Sequence, residues 1–325
     1  MTALRIAVTG STGFIGHHAC LQFAKLGWKV RAVLRPQTIK PIPAETEAVT
    51  SRLVHDELIH AFTDCDVVLH LAGRTRAPSL AEFLAANAAV TEQVALAARD
   101  ADARLIHISS QAAAGTGTKE KPRDEAAVPS PVSDYGRSKL AGEEAVQGVD
   151  GLCYSILRPC AIYGPADRDF LPLFFCAQRG LFPLLGHSDA AFCFLYIEDL
   201  IQAIEGIVRH PEIDREVFFV ASDSAHTAEE LMQTLAAVYG KPYRPLRLPS
   251  FLLWIAAAIS TSAARLGLDP ILTRSRYQEI TSEGFVCSSE KLRIATGFEA
   301  RVSLEEGLRR TSAWYSRRRA ALETT

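Results

Sequence analysis

Tyr135 and Lys139 stand four residues apart in a stretch with helical patterning, residues 135–147, which puts both side chains on one helix face. The chain holds eight tyrosines and eight lysines, and this is its only such pair; chance would supply about 0.2. A free phenol, with a pKa of about 10, is a poor acid–base catalyst near neutrality. A neighbouring ammonium stabilises the phenolate and lowers that pKa, so the spacing points to a tyrosine that moves protons. Ser110 follows a predicted strand, Leu105–Ile108, at the strand end where open parallel sheets bind ligands, and its hydroxyl can hold a substrate oxygen. Asn87 lies on the preceding alanine-rich helical stretch, 83–98, where its amide could hold a proton-relay water.

Gly10-Ser11-Thr12-Gly13-Phe14-Ile15-Gly16 sits between a first predicted strand and a first helix. The first glycine makes the tight turn, the second lets backbone approach a pyrophosphate, and the third lets helix pack on strand. Phosphates would meet the free N–H groups and positive end of that helix. After the second strand, an acidic side chain suits the ribose 2′-hydroxyl of NAD and an arginine suits the 2′-phosphate of NADP. The acidic position falls on Leu34; Arg35 follows, with Arg31 and Lys40 close by, so NADP is favoured over NAD.

These residues need a scaffold. Apolar runs at 4–9, 30–34, 67–71, 105–108, 155–157 and 217–220 read as strands that alternate with helices. That pattern implies right-handed βαβ units and a parallel sheet covered on both faces. Gly27 stops the first helix, Thr227-x-x-Glu230 is a capping box, and Ser303-x-x-Glu306 opens the last helix. Gly115 to Asp134 reads as a long surface loop. Leu248 to Ala264 carries no charge. It is shorter than the roughly 20 residues of a spanning helix and contains Pro249, Ser250, Ser260, Thr261 and Ser262. A buried helix is the favoured reading, with a lid or a peripheral membrane contact as alternatives.

With 325 residues, the chain has room for about two domains. Apolar residues make up 48% and charged ones 22%, which excludes bulk disorder. A net charge of −2 argues against a nucleic-acid partner bound through bulk charge. Seven cysteines, odd in number and without CxxC spacing, predict free thiols in a reducing cytoplasm and no structural metal.

Together the motifs resemble an extended short-chain dehydrogenase/reductase of the epimerase/dehydratase superfamily. The matching strings are Val8–Gly16, His70-Leu71-Ala72-Gly73, Asn87, Ser109-Ser110, Tyr135–Glu143, Arg158-Pro159 with Tyr163-Gly164-Pro165, and Tyr196–Leu200, in family order over most of the chain. The resemblance implies an α/β architecture: a Rossmann-type doubly wound parallel sheet with a smaller interleaved C-terminal substrate lobe. The dinucleotide-binding part would span 1–160 plus about 192–222, and the lobe about 161–191 plus 223–325. It implies Tyr135 as acid/base, Ser110 as polarising hydroxyl, and Lys139 also on the nicotinamide ribose. Gly10, Thr12, Gly13, Phe14, Ile15, Gly16, Arg35, Leu71, Ala72, Gly73, Pro159 and Ile162 would complete the cofactor site. A homodimer through the tyrosine helix is also implied.

Departures from the family pattern narrow the reaction. Cys160-Ala161-Ile162 replaces the asparagine region common in nucleotide-sugar epimerases, and Gln111–Ala114 replaces the acidic pair of sugar dehydratases. Ser51-Arg52-Leu53 stands where an adenine-binding aspartate is common. Val30–Arg35 and the apolar 251–259 helix resemble instead the branch of 3β-hydroxysteroid-dehydrogenase-like and dihydroflavonol-reductase-like enzymes. The expected activity is NADP-dependent interconversion of a ketone or aldehyde and an alcohol on an apolar small molecule. A nucleotide-sugar epimerase using bound NAD, or a dinucleotide sensor without turnover, are the alternatives.

Overall fold

Seven strands form one all-parallel sheet in the computed structural model, which describes residues 3–247, 249–264 and 272–323. They are β1 (Arg5–Thr9), β2 (Lys29–Leu34), β3 (Thr46–Thr50), β4 (Val67–His70), β5 (Arg104–Ile108), β6 (Tyr154–Pro159) and β7 (Glu216–Val220). Their spatial order is β7-β6-β5-β4-β1-β2-β3. The direction of winding reverses between β1 and β4, and ligands of such sheets bind at that crevice, beyond the strand carboxyl ends.

Strand periodicity sorts the core into two layers. Ile6, Val8, Leu69, Ile106 and Leu157 pack on one face with Phe23, Ile204 and Phe219. Ala7, Val68, Leu105 and Ile156 pack on the other with Leu58, Phe62 and Val94. Burial on both faces is why β4 reads as the continuous apolar run Val67-Val68-Leu69, while β6 is buried along its whole length with Ser155 and Arg158 included. β3 is different. Its sequence, Thr-Glu-Ala-Val-Thr, is largely exposed on the sheet edge, so it carries no comparable apolar signal.

Beyond β6 the chain builds a second, smaller sheet. Ala191–Tyr196 is its centre, pairing with Ala161–Tyr163, Ala225–Thr227 and Gly284–Phe285. Phe182–Leu184 pairs separately with Pro245–Arg247. Helix Ile197–Arg209 then packs on the helix after β1, and β7 rejoins the large sheet. The Gly115–Asp134 segment is irregular, as expected, but it is not a free loop. Gly117 bridges to Phe285 and Arg123 to Cys287, tying it to the second sheet. The capping box forms in both directions, with Glu230 N–H donating to Thr227 Oγ1 at 3.1 Å and Thr227 N–H to Glu230 Oε2 at 2.7 Å. The seven cysteines are free thiols.

The apolar run contradicts its favoured reading. Residues 250–264 are helical, as expected, but the helix is not buried: Phe251, Leu252, Trp254, Ile255 and Ile259 are all exposed, and among its described side chains only Leu253 and Ala257 are buried. Leu248 lies outside the described residues. Hydropathy along the chain measures how apolar a helix is and not whether anything covers it.

Candidate active site

The turn after β1 depends on glycine. Gly10 has φ +70°, and a Cβ there would come within 2.7 Å of the Ala72 nitrogen in the turn after β4. A Cβ on Gly16 would meet the Gly10 carbonyl oxygen at 2.2 Å. Helix α1 (Phe14–Lys25) starts at Gly13 with no side chain capping it. Its first N–H groups therefore remain available to an anion, as a dinucleotide pyrophosphate requires. The floor is rigid. Thr9 Oγ1 meets His70 Nδ1 at 2.7 Å, and Thr91 Oγ1 meets His70 Nε2 at 2.9 Å, joining β1, β4 and the following helix. Burial pushes the His70 imidazole down to about 3, so the ring is neutral.

Ser110 lies two residues past β5 and caps the short helix Gln111–Ala114, accepting from Ala112 N–H at 3.1 Å. Tyr135 starts helix α2 (Asp134–Gln147), capped by Ser133, whose Oγ accepts from Gly136 N–H at 3.0 Å. The same Ser133 hydroxyl donates to Glu279 Oε1 at 2.7 Å, and Tyr135 N–H donates to Ser275 Oγ at 3.1 Å. The start of the tyrosine helix is thus fastened to helix Arg274–Ile280.

Tyr135 and Ser110 line the same cleft, and the Tyr135 phenol is pushed up to about 12. Burial is the main cause, the Glu279 carboxylate adds to it, and the nearby Ser110 hydroxyl and Arg276 oppose it. This corrects the expectation that Lys139 would lower it. The Lys139 ammonium donates to the Ile108 carbonyl at 2.7 Å, behind the cleft wall, and burial lowers it to about 8 against the pull of Glu143. Four-residue spacing sets a shared face, but the long lysine stem reaches on to β5. Asn87 also departs from its expected role. Its Oδ1 accepts from Arg74 N–H at 2.7 Å, and its Nδ2 donates to the Arg74 carbonyl and Ser138 Oγ, both at 2.9 Å. The amide holds the turn after β4 against α2 and is committed at both ends.

One continuous cleft of about 1860 Å³ joins these parts. Gly10, Thr12, Gly13, Phe14, Ile15, Gly16, Leu71, Gly73, Ser110, Tyr135, Pro159 and Ile162 all line it; Ala72, Asn87, Lys139 and Arg35 do not. Arg35 is exposed just past β2, and no ion pair or hydrogen bond engages its guanidinium among the described residues. Arg31 is committed elsewhere, to Glu47 and to the carbonyls of Ala61 and Thr63. Lys40 lines the cleft.

Beyond Tyr135 the walls are apolar, with Phe170, Leu171, Phe192, Phe194, Leu231, Met232 and Trp314. None of the described side chains of the 250–264 helix lines it. Set in this arm is a charge cluster absent from the sequence reading. Asp169 pairs with Arg76 and, at 3.7 Å, with Arg276, which is 3.9 Å from Glu279. Arg168 also lines the cleft, while Arg179 and Arg274 do not.

A glycine-turned dinucleotide cradle that opens onto a serine–tyrosine pair is the site of a Rossmann-type nucleotide-dependent protein. Residues 6–221 match the NAD dependent epimerase/dehydratase family, and the chain belongs to it. It is 30% identical over 315 residues to a ceramide reductase of Caulobacter vibrioides, covering 95% of this chain and 94% of that one. It is 25% identical over 330 residues to a 2-alkyl-3-oxoalkanoate reductase of Shewanella oneidensis, covering 94% and 85%. In structure it resembles UDP-glucose 4-epimerase of Thermotoga maritima bound to UDP-glucose, with TM-score 0.79 and 21% identity, covering 97% and 99% of the two chains. That last likeness is one of fold.

Proposed function

We propose that the protein is an NADPH-dependent reductase of a ketone carried on a substantially apolar small molecule. The observation that carries this reading is the Tyr135 phenol beside Ser110, where the glycine-turn half of the cleft meets its apolar arm. The phenol, pushed up to about 12, is protonated at neutral pH and so holds the proton that reduction of a ketone consumes.

The glycine turn, the α1 N-terminus, Leu71, Gly73, Pro159 and Ile162 would hold the dinucleotide, with Arg35 on its 2′-phosphate. When bound, it supplies hydride at the substrate carbon. Ser110 donates a hydrogen bond to the substrate oxygen and Tyr135 delivers the proton to it. Lys139 and Asn87 position: one fixes α2 to β5, the other fixes the turn after β4 to α2. The two reductase relatives support the reaction type, and the aromatic and aliphatic arm supports the substrate class. In this reading residues 1–160 and about 192–222 carry the cofactor and the remainder the substrate, in a cytoplasmic homodimer.

The test is turnover of NADPH with 3-oxoacyl compounds of increasing chain length, beside UDP- and dTDP-sugars. Ketone-dependent NADPH consumption that improves with chain length is expected. Sugar-nucleotide isomerisation without net NADPH consumption would instead establish the epimerase alternative, for which Arg168 in the cleft wall is a ready phosphate partner.

A further inference from the structure

The Ser250–Ala264 helix takes no part in the site, yet it is the most unusual surface of the molecule. Its fifteen residues contain no charge. Phe251 is 61% exposed and Ile259 66%, with Leu252, Trp254 and Ile255 exposed between them. Leu246, just before the helix, and Leu181, beside the strand paired with Pro245–Arg247, are exposed as well. Soluble surfaces scatter single apolar side chains; a contiguous set of this size marks an interaction site.

Charge indicates what covers it. From residue 231 to residue 268 the chain contains Lys241, Arg244, Arg247 and Arg265 and no aspartate or glutamate. Lys241 and Arg244 are exposed, and no ion pair engages them among the described residues; Arg274, beyond the helix, is exposed too. An uncharged helix bearing tryptophan and phenylalanine and flanked by cations fits an interface of hydrocarbon beneath anionic headgroups. At 1.5 Å per residue it measures about 22 Å, short of the roughly 30 Å hydrocarbon core, so it would lie in the interface and not cross it. No described helix is long and apolar enough to span a membrane.

The helix also adjoins the cleft. Thr261 Oγ1 accepts from Arg274 N–H at 2.9 Å, and the helix begun by Arg274 carries Arg276, Glu279 and Ile280 in the cleft wall. We propose that residues 250–264 seat the protein on the surface of an anionic lipid bilayer, with the substrate arm of the cleft beside the lipid. The proposal extends the reductase reading by naming where an apolar ketone is collected, while lipid binding itself does not depend on that reading.

The experiment is sedimentation of the full chain with phosphatidylcholine vesicles, with and without phosphatidylglycerol. The protein is expected to pellet with the anionic vesicles, less so at high salt, with a blue shift of Trp254 fluorescence. Ile255→Ser/Ile259→Ser and, separately, Lys241→Glu/Arg244→Glu should each cut vesicle affinity about tenfold or more. Neither pair lines the cleft, so turnover of a short water-soluble ketone should be unchanged. No pelleting, or pelleting that both variants leave intact, overturns the proposal. So does a dimer that the isoleucine variant dissociates while vesicles bind nothing, since a second copy then covers the face. Absence of ketone reduction with vesicle binding preserved would strike the enzyme reading alone.

Discussion

Glu143 and Arg158 form a buried, two-pronged ion pair between the tyrosine helix and β6. Arg158 Nη2 donates to Glu143 Oε2 at 2.6 Å and Nε to Oε1 at 3.0 Å, with the side chains 6% and 1% exposed. Ser109 donates to the same carboxylate, and the guanidinium sits over Phe219. The pair locks α2 in register one turn beyond Lys139, and so sets where Tyr135 and Lys139 point. Arg158→Met strands a buried carboxylate and should cost about 3–5 kcal/mol of stability. Adding Glu143→Leu should recover part of that loss. Urea denaturation of the single and double variants decides it: equal stability of all three proteins would contradict the pair's role.

Lys139 gives the folded state a distinctive pH dependence. The folded ammonium releases its proton near pH 8, the unfolded one near 10.5. Between those values the unfolded chain holds more protons, so this group's contribution to stability rises with pH. Below pH 8 both states are charged and the burial cost is felt in full. The unfolding free energy of wild type minus that of Lys139→Met should therefore climb between about pH 8 and 10.5. A difference that stays flat across that interval would show that Lys139 is not held in a low-dielectric site.

Arg35 should select the cofactor. Arg35→Ala removes a charge-assisted contact to the 2′-phosphate, worth about 1.5–3 kcal/mol. NADPH affinity measured by calorimetry should drop about tenfold or more, with NADH little changed. Tighter binding of NADH than NADPH by wild type would exclude the assignment.

Asp169 gathers Arg76, from the turn after β4, and Arg276, from the helix fastened to Ser133 and Tyr135. Asp169→Asn removes the charge that both cations share and loosens one wall of the substrate arm from the other. A half-exposed pair of this kind is worth about 1 kcal/mol, so KM for the ketone should rise about fivefold while NADPH affinity holds. A fall in kcat at constant KM would instead place Asp169 in the chemistry.

What the sequence made legible was local. The glycine turn, Ser110 at a strand end and the Tyr135–Lys139 pair each announce themselves within seven residues, because backbone geometry alone fixes their relation. The cluster of Arg76, Asp169, Arg276 and Glu279 is spread over about 200 residues of chain, and each member is an ordinary charge until the fold assembles them. Lys139 shares a helix with Tyr135, as its spacing implies, but a flexible stem carries the ammonium to the Ile108 carbonyl, which spacing alone does not reveal. Asn87 looked available only because its partners, the Arg74 backbone and Ser138, are tertiary neighbours.

Single-turnover kinetics of Tyr135→Phe test the central claim most directly. The substitution keeps the half-buried ring beside Phe83 and removes only the hydroxyl. NADPH should bind with near wild-type affinity, while ketone reduction falls by about 100-fold or more, the scale of lost general acid catalysis. Reduction at close to the wild-type rate would contradict the account, because the proton would then come from another group.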